Sequence, residues 1–138
     1  MTAKEYLSRY CSAKKEIECK REEIRQLEAM AEYSSPGMRS GSGSGSASDK
    51  VGRLAAKIAD EKRLLEEQVA ELMALREEIK AVIDRVENTT FRQLLTLRYI
   101  NGYTFERVAE EMFYTYKWVY VLHGRALGEV DGVIYKSE

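Results

Sequence analysis

The 138-residue chain contains one proline, two cysteines and one histidine. With Pro36 alone and 33% charged residues, long helices are favoured over a turn-rich β architecture. Cys11 and Cys19 lie on one stretch that reads as a helix, separated by about 12 Å along its axis. They cannot bridge each other without melting that helix, and they read as ordinary reduced thiols. His123 is the only imidazole, so no metal-ligand spacing exists and neither a metal nor a cofactor is expected. No apolar run reaches 18 residues, which excludes a membrane-spanning helix. The opening Met1-Thr2-Ala3-Lys4-Glu5 carries no apolar signal segment, so a cytoplasmic location is expected. A net charge of -1 argues against a polyanion binder that works by bulk attraction alone. An enzyme is not expected either, because no nucleotide loop or carboxylate constellation stands apart from the charged helix surfaces.

What the chain does have is helical periodicity. Thr2 followed by Glu5 fits a capping box and opens a predicted helix over 2–33. Residues 34–48, a Gly/Ser tract, read as a flexible connector, followed by a second long helix over 49–87. Both helices carry apolar residues at alternating steps of three and four. The first stripe runs Ala3, Tyr6, Tyr10, Ala13, Ile17, Lys20, Ile24, Leu27, Ala31. The second runs Val51, Leu54, Ile58, Glu61, Leu65, Gln68, Leu72, Leu75, Ile79, Val82, Val86. Such narrow stripes predict a coiled-coil seam, closed as an antiparallel hairpin that pairs Tyr6 with Ile79 and Lys20 with Leu65, or the same one heptad slipped. Lys20, Glu61 and Gln68 are polar intruders in that seam. In either register Lys20 and Glu61 fall in the same or adjacent layers, where each neutralises the other and sets the alignment. The seam could also close on a second hairpin to make a four-helix homodimer.

Residues 88–138 hold ten of the 13 aromatic residues and signal short helices. Thr90 to Gln93 fits a further capping box, followed by Leu94, Leu95, Leu97 and Ile100. Asn101-Gly102 ends that helix, Thr104 caps another over Phe105–Met112, and Phe113-Tyr114 form a break. Thr115 then caps a last helix with Val119, Leu122, Ala126 and Leu127 facing inward. Two short helices joined by such a turn match the helix-turn-helix pattern. The fold class expected is therefore all-α: a hairpin over 1–87 and a small helix-turn-helix module over 88–138.

The stretches Phe91–Gly102, Thr104–Met112 and Thr115–Leu127 resemble region 4 of bacterial sigma factors across about 40 residues. The whole chain resembles small prophage-encoded proteins of Gram-positive bacteria, related to phage late-gene transcription regulators. The resemblance implies promoter DNA and bacterial RNA polymerase as partners, in the cytoplasm of a bacterial host. It puts base-reading side chains at Tyr116, Lys117, Tyr120 and Val121, and backbone-phosphate or activator-facing roles at Thr104, Glu106 and Arg125. Thr115, the cap of the reading helix, completes the DNA-binding set. Helical spacing sets 116, 117, 120, 121 and 124 opposite the inward Val119/Leu122/Ala126 stripe. A phage terminase small subunit, which also joins a helix-turn-helix to long helices, is a variant of the same class.

The chain departs from that family in three ways. Sigma factors usually present Arg, Glu and Gln on the reading face, groups suited to bidentate contacts with bases. Related modules tend to have Gly where Phe113 stands. Six Lys/Arg against six Asp/Glu leave 88–138 neutral, which weakens phosphate attraction. Two readings of the aromatics follow. Either they contact thymine methyls and sugars, or Tyr116, Trp118 and Tyr120 form an apolar patch for a protein partner. Packing of Trp118 and Phe113 beneath the hairpin is the plainer alternative. His123 reads as structural.

Overall fold

The computed structural model describes residues 1–33 and 45–136, and all regular structure among them is helical. Helix α1 spans Ala3–Tyr33, α2 Gly45–Asp84, α3 Thr89–Leu95, α4 Phe105–Met112 and α5 Tyr116–Lys136. A π-helical turn, Thr96–Ile100, continues α3. None of these helices is long and apolar enough to cross a membrane.

The start of α1 is the expected reciprocal box: Glu5 N–H donates to Thr2 Oγ1 at 3.1 Å and Thr2 N–H to Glu5 Oε2 at 3.4 Å. Helix α2 begins at Gly45, inside the tract expected to be a connector; the remainder of that tract, 34–44, lies outside the described residues. It ends at Asp84 rather than 87, where Arg85 and Val86 N–H groups turn back to the carbonyls of Val82 and Ile83. The next helix also departs from expectation. Its cap is Asn88, whose side chain accepts from Phe91 N–H at 3.1 Å, so Thr90 lies inside the first turn. Asn is at least as good an N-cap as Thr, and Asn88 keeps an extended backbone there.

The chain forms two compact units, Met1–Lys14 with Leu72–Glu138, and Lys15–Glu71. This division differs from a boundary at 87/88. The start of α1 and the end of α2 share one core with α3, α4 and α5: Leu7, Tyr10, Ile79, Ile83 and Val86 are buried with Leu94, Leu95, Val108, Val119, Ala126 and Val130. Burying side chains of that size is worth about 1.5–3 kcal/mol each, so the small C-terminal helices draw much of their stability from the long ones. Within this unit, Arg9 pairs with Glu78 at 2.6 Å and the Cys11 thiol donates to the Tyr99 carbonyl at 3.3 Å.

In the second unit, Ile17 and Ile24 are buried, with Ile58 and Leu65 half-buried. Lys20 and Glu61 form an ion pair, and Glu28 pairs with Lys62 at 2.8 Å. The Lys20–Glu61 contact was expected of these two among the three seam intruders. Its hydrogen bond to Glu61 holds the Lys20 ammonium above its ordinary pKa. Gln68, by contrast, is exposed and Val69 takes the inward position. An apolar neighbour one residue along relieves the seam of an amide with no partner.

Candidate nucleic-acid or protein interface on α4 and α5

The surface built by α4, the turn after it and α5 starts from the π turn. Asn101 N–H reaches back five residues to the Thr96 carbonyl, and the widened turn leaves adjacent Tyr99 and Ile100 both buried. Gly102, with φ of 75°, then reverses the chain. Thr104 caps α4 by accepting from Arg107 N–H at 3.2 Å. Val108 and Ala109 are buried, Phe105 and Met112 half-buried.

Helix α4 ends in a Schellman motif: Tyr114 N–H bonds to the Ala109 carbonyl at 3.0 Å and Phe113 N–H to that of Glu110 at 3.4 Å. The residue this motif sets in the left-handed region is Phe113, at φ 58° and ψ 39°. The residue is 93% exposed. Thr115 caps α5 by accepting from Trp118 N–H at 3.1 Å. Two helices are thus separated by the three residues 113–115, and both pack on the π turn or α3.

All eight residues assigned to DNA are exposed: Thr104, Glu106, Thr115, Tyr116, Lys117, Tyr120, Val121 and Arg125. Val119, Leu122 and Ala126 are buried as expected, with Leu127 half-buried. Trp118 is 42% exposed and, like Phe113, is not packed away. The inward positions of α5 are filled by the aliphatic stripe, so Trp118 stays on the flank with the Arg125 guanidinium 5.5 Å from its ring centre.

Tyr120 is set in place by aromatic neighbours. Its ring meets Phe105 edge-on at 6.0 Å and stacks with Tyr116 at 6.4 Å. Phe105 is itself held between the Arg98 guanidinium, 4.2 Å from its ring centre, and the edge of His123 at 4.8 Å. Beneath them, the Tyr99 hydroxyl and His123 Nε2 are 2.6 Å apart. Burial pushes the Tyr99 phenol up to about 12 and the His123 imidazole down to about 4, so both are neutral at pH 7. The pair fastens α5 to the π turn and supports the aromatic row above it.

Sequence reasoning missed the Tyr99–His123 pair and the Arg98–Phe105 stack. No spacing rule joins residues 24 apart. It also missed an open groove of about 630 Å³, lined by residues that include Arg92, Leu97, Met112, Phe113 and Tyr114. The aromatic break at 113–114 was its one visible sign. Among the described residues no three His, Cys, Asp or Glu side chains cluster to hold a metal.

A family model described as "Protein of unknown function (DUF1492)" matches residues 32–131, a span that includes every residue of this surface. No curated protein and no solved structure matches the chain.

Proposed function

Since the chain belongs to that family, whose description assigns no activity, we propose from its own residues that it is a sigma-like helix-turn-helix transcription regulator of phage type. In this reading α4–turn–α5 docks on promoter DNA with α5 in the major groove, and α1 with α2 forms an antiparallel hairpin that carries it. The observation that carries the reading is the two helices joined by residues 113–115, the second opened by a capping Thr115 and exposing Tyr116, Lys117, Tyr120 and Val121 on one face. The resemblance of 91–127 to sigma region 4 points the same way. With six basic against six acidic residues over 88–138, the module attracts phosphates weakly by itself, and useful affinity requires a second contact. Bacterial RNA polymerase is the partner proposed for it.

The test is retention of promoter-enriched duplexes over a salt series, with and without host polymerase. Retention that grows with polymerase and falls with salt is expected, the slope counting phosphate contacts. Absence of polymerase binding together with no DNA retained at low salt would sink the reading.

A second reading is favoured by the exposure of Phe113 and Trp118. In it, Tyr116, Trp118 and Tyr120 anchor a protein partner or a second copy of the chain. If Trp118→Ala abolishes function while Lys117→Glu leaves it intact, this second reading replaces the first.

A further inference from the structure

The exposed face of α5 has a chemical character that narrows what it could read, given the DNA-binding function proposed above. From Tyr116 to Gly128 that face presents Tyr116, Lys117, Tyr120, Val121, Gly124 and Gly128. Tyr120 is 61% exposed and Val121 40%. No Asn, Gln, Asp or Glu lies among these residues, and Arg125 on the flank has its guanidinium by the Trp118 ring. Lys117 at its start is the one side chain of this face suited to guanine O6 and N7, and the amides that pair with adenine and the carboxylates that accept from cytosine are missing from it.

What the centre offers instead is apolar: the isopropyl group of Val121 and the ring of Tyr120. The edges of the four base pairs in a major groove carry one apolar group only, the C5-methyl of thymine. An apolar helix face seated there has no other favourable base partner. Tyr120 is already oriented, edge-on to Phe105 and stacked on Tyr116, so little of its freedom is left to lose on binding. One turn further on, a Cβ added at Gly124 would meet nothing within 4 Å beyond its chain neighbours and the backbone of its own helix. The helix backbone is bare at that point, which permits close approach to the duplex.

We propose that the Tyr120–Val121 face of α5 selects thymine-rich duplex DNA by contact with thymine methyl groups, with Lys117 supplying attraction and Gly124 the clearance. The experiment compares one duplex pool amplified twice, with thymine or with uracil, which lacks only the methyl. Both pools are offered to the full chain together with RNA polymerase. The expected result is retention of the thymine pool and loss of the uracil pool, by roughly fourfold for each buried methyl. Replacing uracil by 5-methylcytosine at enriched positions, with guanine opposite, returns the C5-methyl and restores part of the loss. In Val121→Ala the difference between the thymine and uracil pools narrows, because part of the apolar surface facing the methyls is gone while Tyr120 remains. Gly124→Leu loses retention of both pools while its helical circular dichroism is kept.

Equal retention of the two pools by the unaltered chain overturns methyl reading and leaves DNA binding standing. Retention of neither pool overturns the DNA-binding function itself. Self-association through this face, revealed by a concentration-dependent mass that Val121→Ala and Gly124→Leu abolish without any DNA retained, assigns the face to a second copy instead.

Discussion

Phe113 combines two unfavourable features: an L-residue in the left-handed region and a large apolar side chain in water. At φ 58° its Cβ crowds the backbone, a conformation that costs an L-residue roughly 1–2 kcal/mol and glycine almost nothing. Because 93% of the residue is exposed, replacing it gives up almost no buried area. Glycine's larger loss of backbone freedom on folding offsets part of the gain. Phe113→Gly is therefore expected to stabilise the fold by about 1 kcal/mol. For a chain of this size that is a rise of roughly 3–5 °C in the thermal midpoint. Melting followed by circular dichroism at helical wavelengths, with urea titrations alongside, measures it. Phe113→Ala keeps the backbone penalty and serves as the control, and Phe113→Val, β-branched, should melt lower than either. A Phe113→Gly variant that melts at or below the unaltered protein, with Phe113→Ala unchanged, would refute the argument. If Phe113 anchors a partner in the groove it helps to line, the same glycine variant gains stability as it loses that partner.

Three further outcomes follow from the core and the caps. His123 titrates near 4 in the fold against an ordinary 6.5, so the unfolded chain takes up its proton first. Its contribution is whole above pH 6.5 and is lost as pH falls towards 4, by up to about 3 kcal/mol. Urea unfolding from pH 7 to 4.5 measures this slope, which His123→Gln should flatten relative to the parent. Asn88→Ala removes the cap of α3 and should cost about 1 kcal/mol, whereas Thr90→Ala should cost less, an order that chemical denaturation checks. Lys20→Leu alone leaves Glu61 without its partner and should destabilise; adding Glu61→Leu should restore or exceed the parent's stability, since a paired charge in a seam aligns more than it stabilises. A double variant less stable than the single one would count against that account.

Local chemistry made much of this chain legible. Thr2, Thr104 and Thr115 cap the helices they precede because a side-chain oxygen three residues ahead satisfies a free N–H. The inward stripe Val119, Leu122 and Ala126 was readable from helical period alone, and it settled by elimination which side of α5 faces water. Lys20 and Glu61 were matched across some forty residues because two opposite charges in one apolar seam have few other partners. Two of the failures came where two local solutions were close alternatives. Asn88 and Thr90 are both good caps, and Gln68 and Val69 both lie within one step of the seam.

Interactions within a few residues are enough to make the chain helical, to start and stop most of its helices and to leave one side of α5 exposed. Packing between distant segments is what draws the start of α1 and the end of α2 into the core of the C-terminal helices. The same packing brings Tyr99 and His123 together beneath Phe105 and sets Phe113 in a glycine's conformation. Those outcomes depend on apolar burial and hydrogen bonds between residues distant in the chain, and no periodicity encodes them.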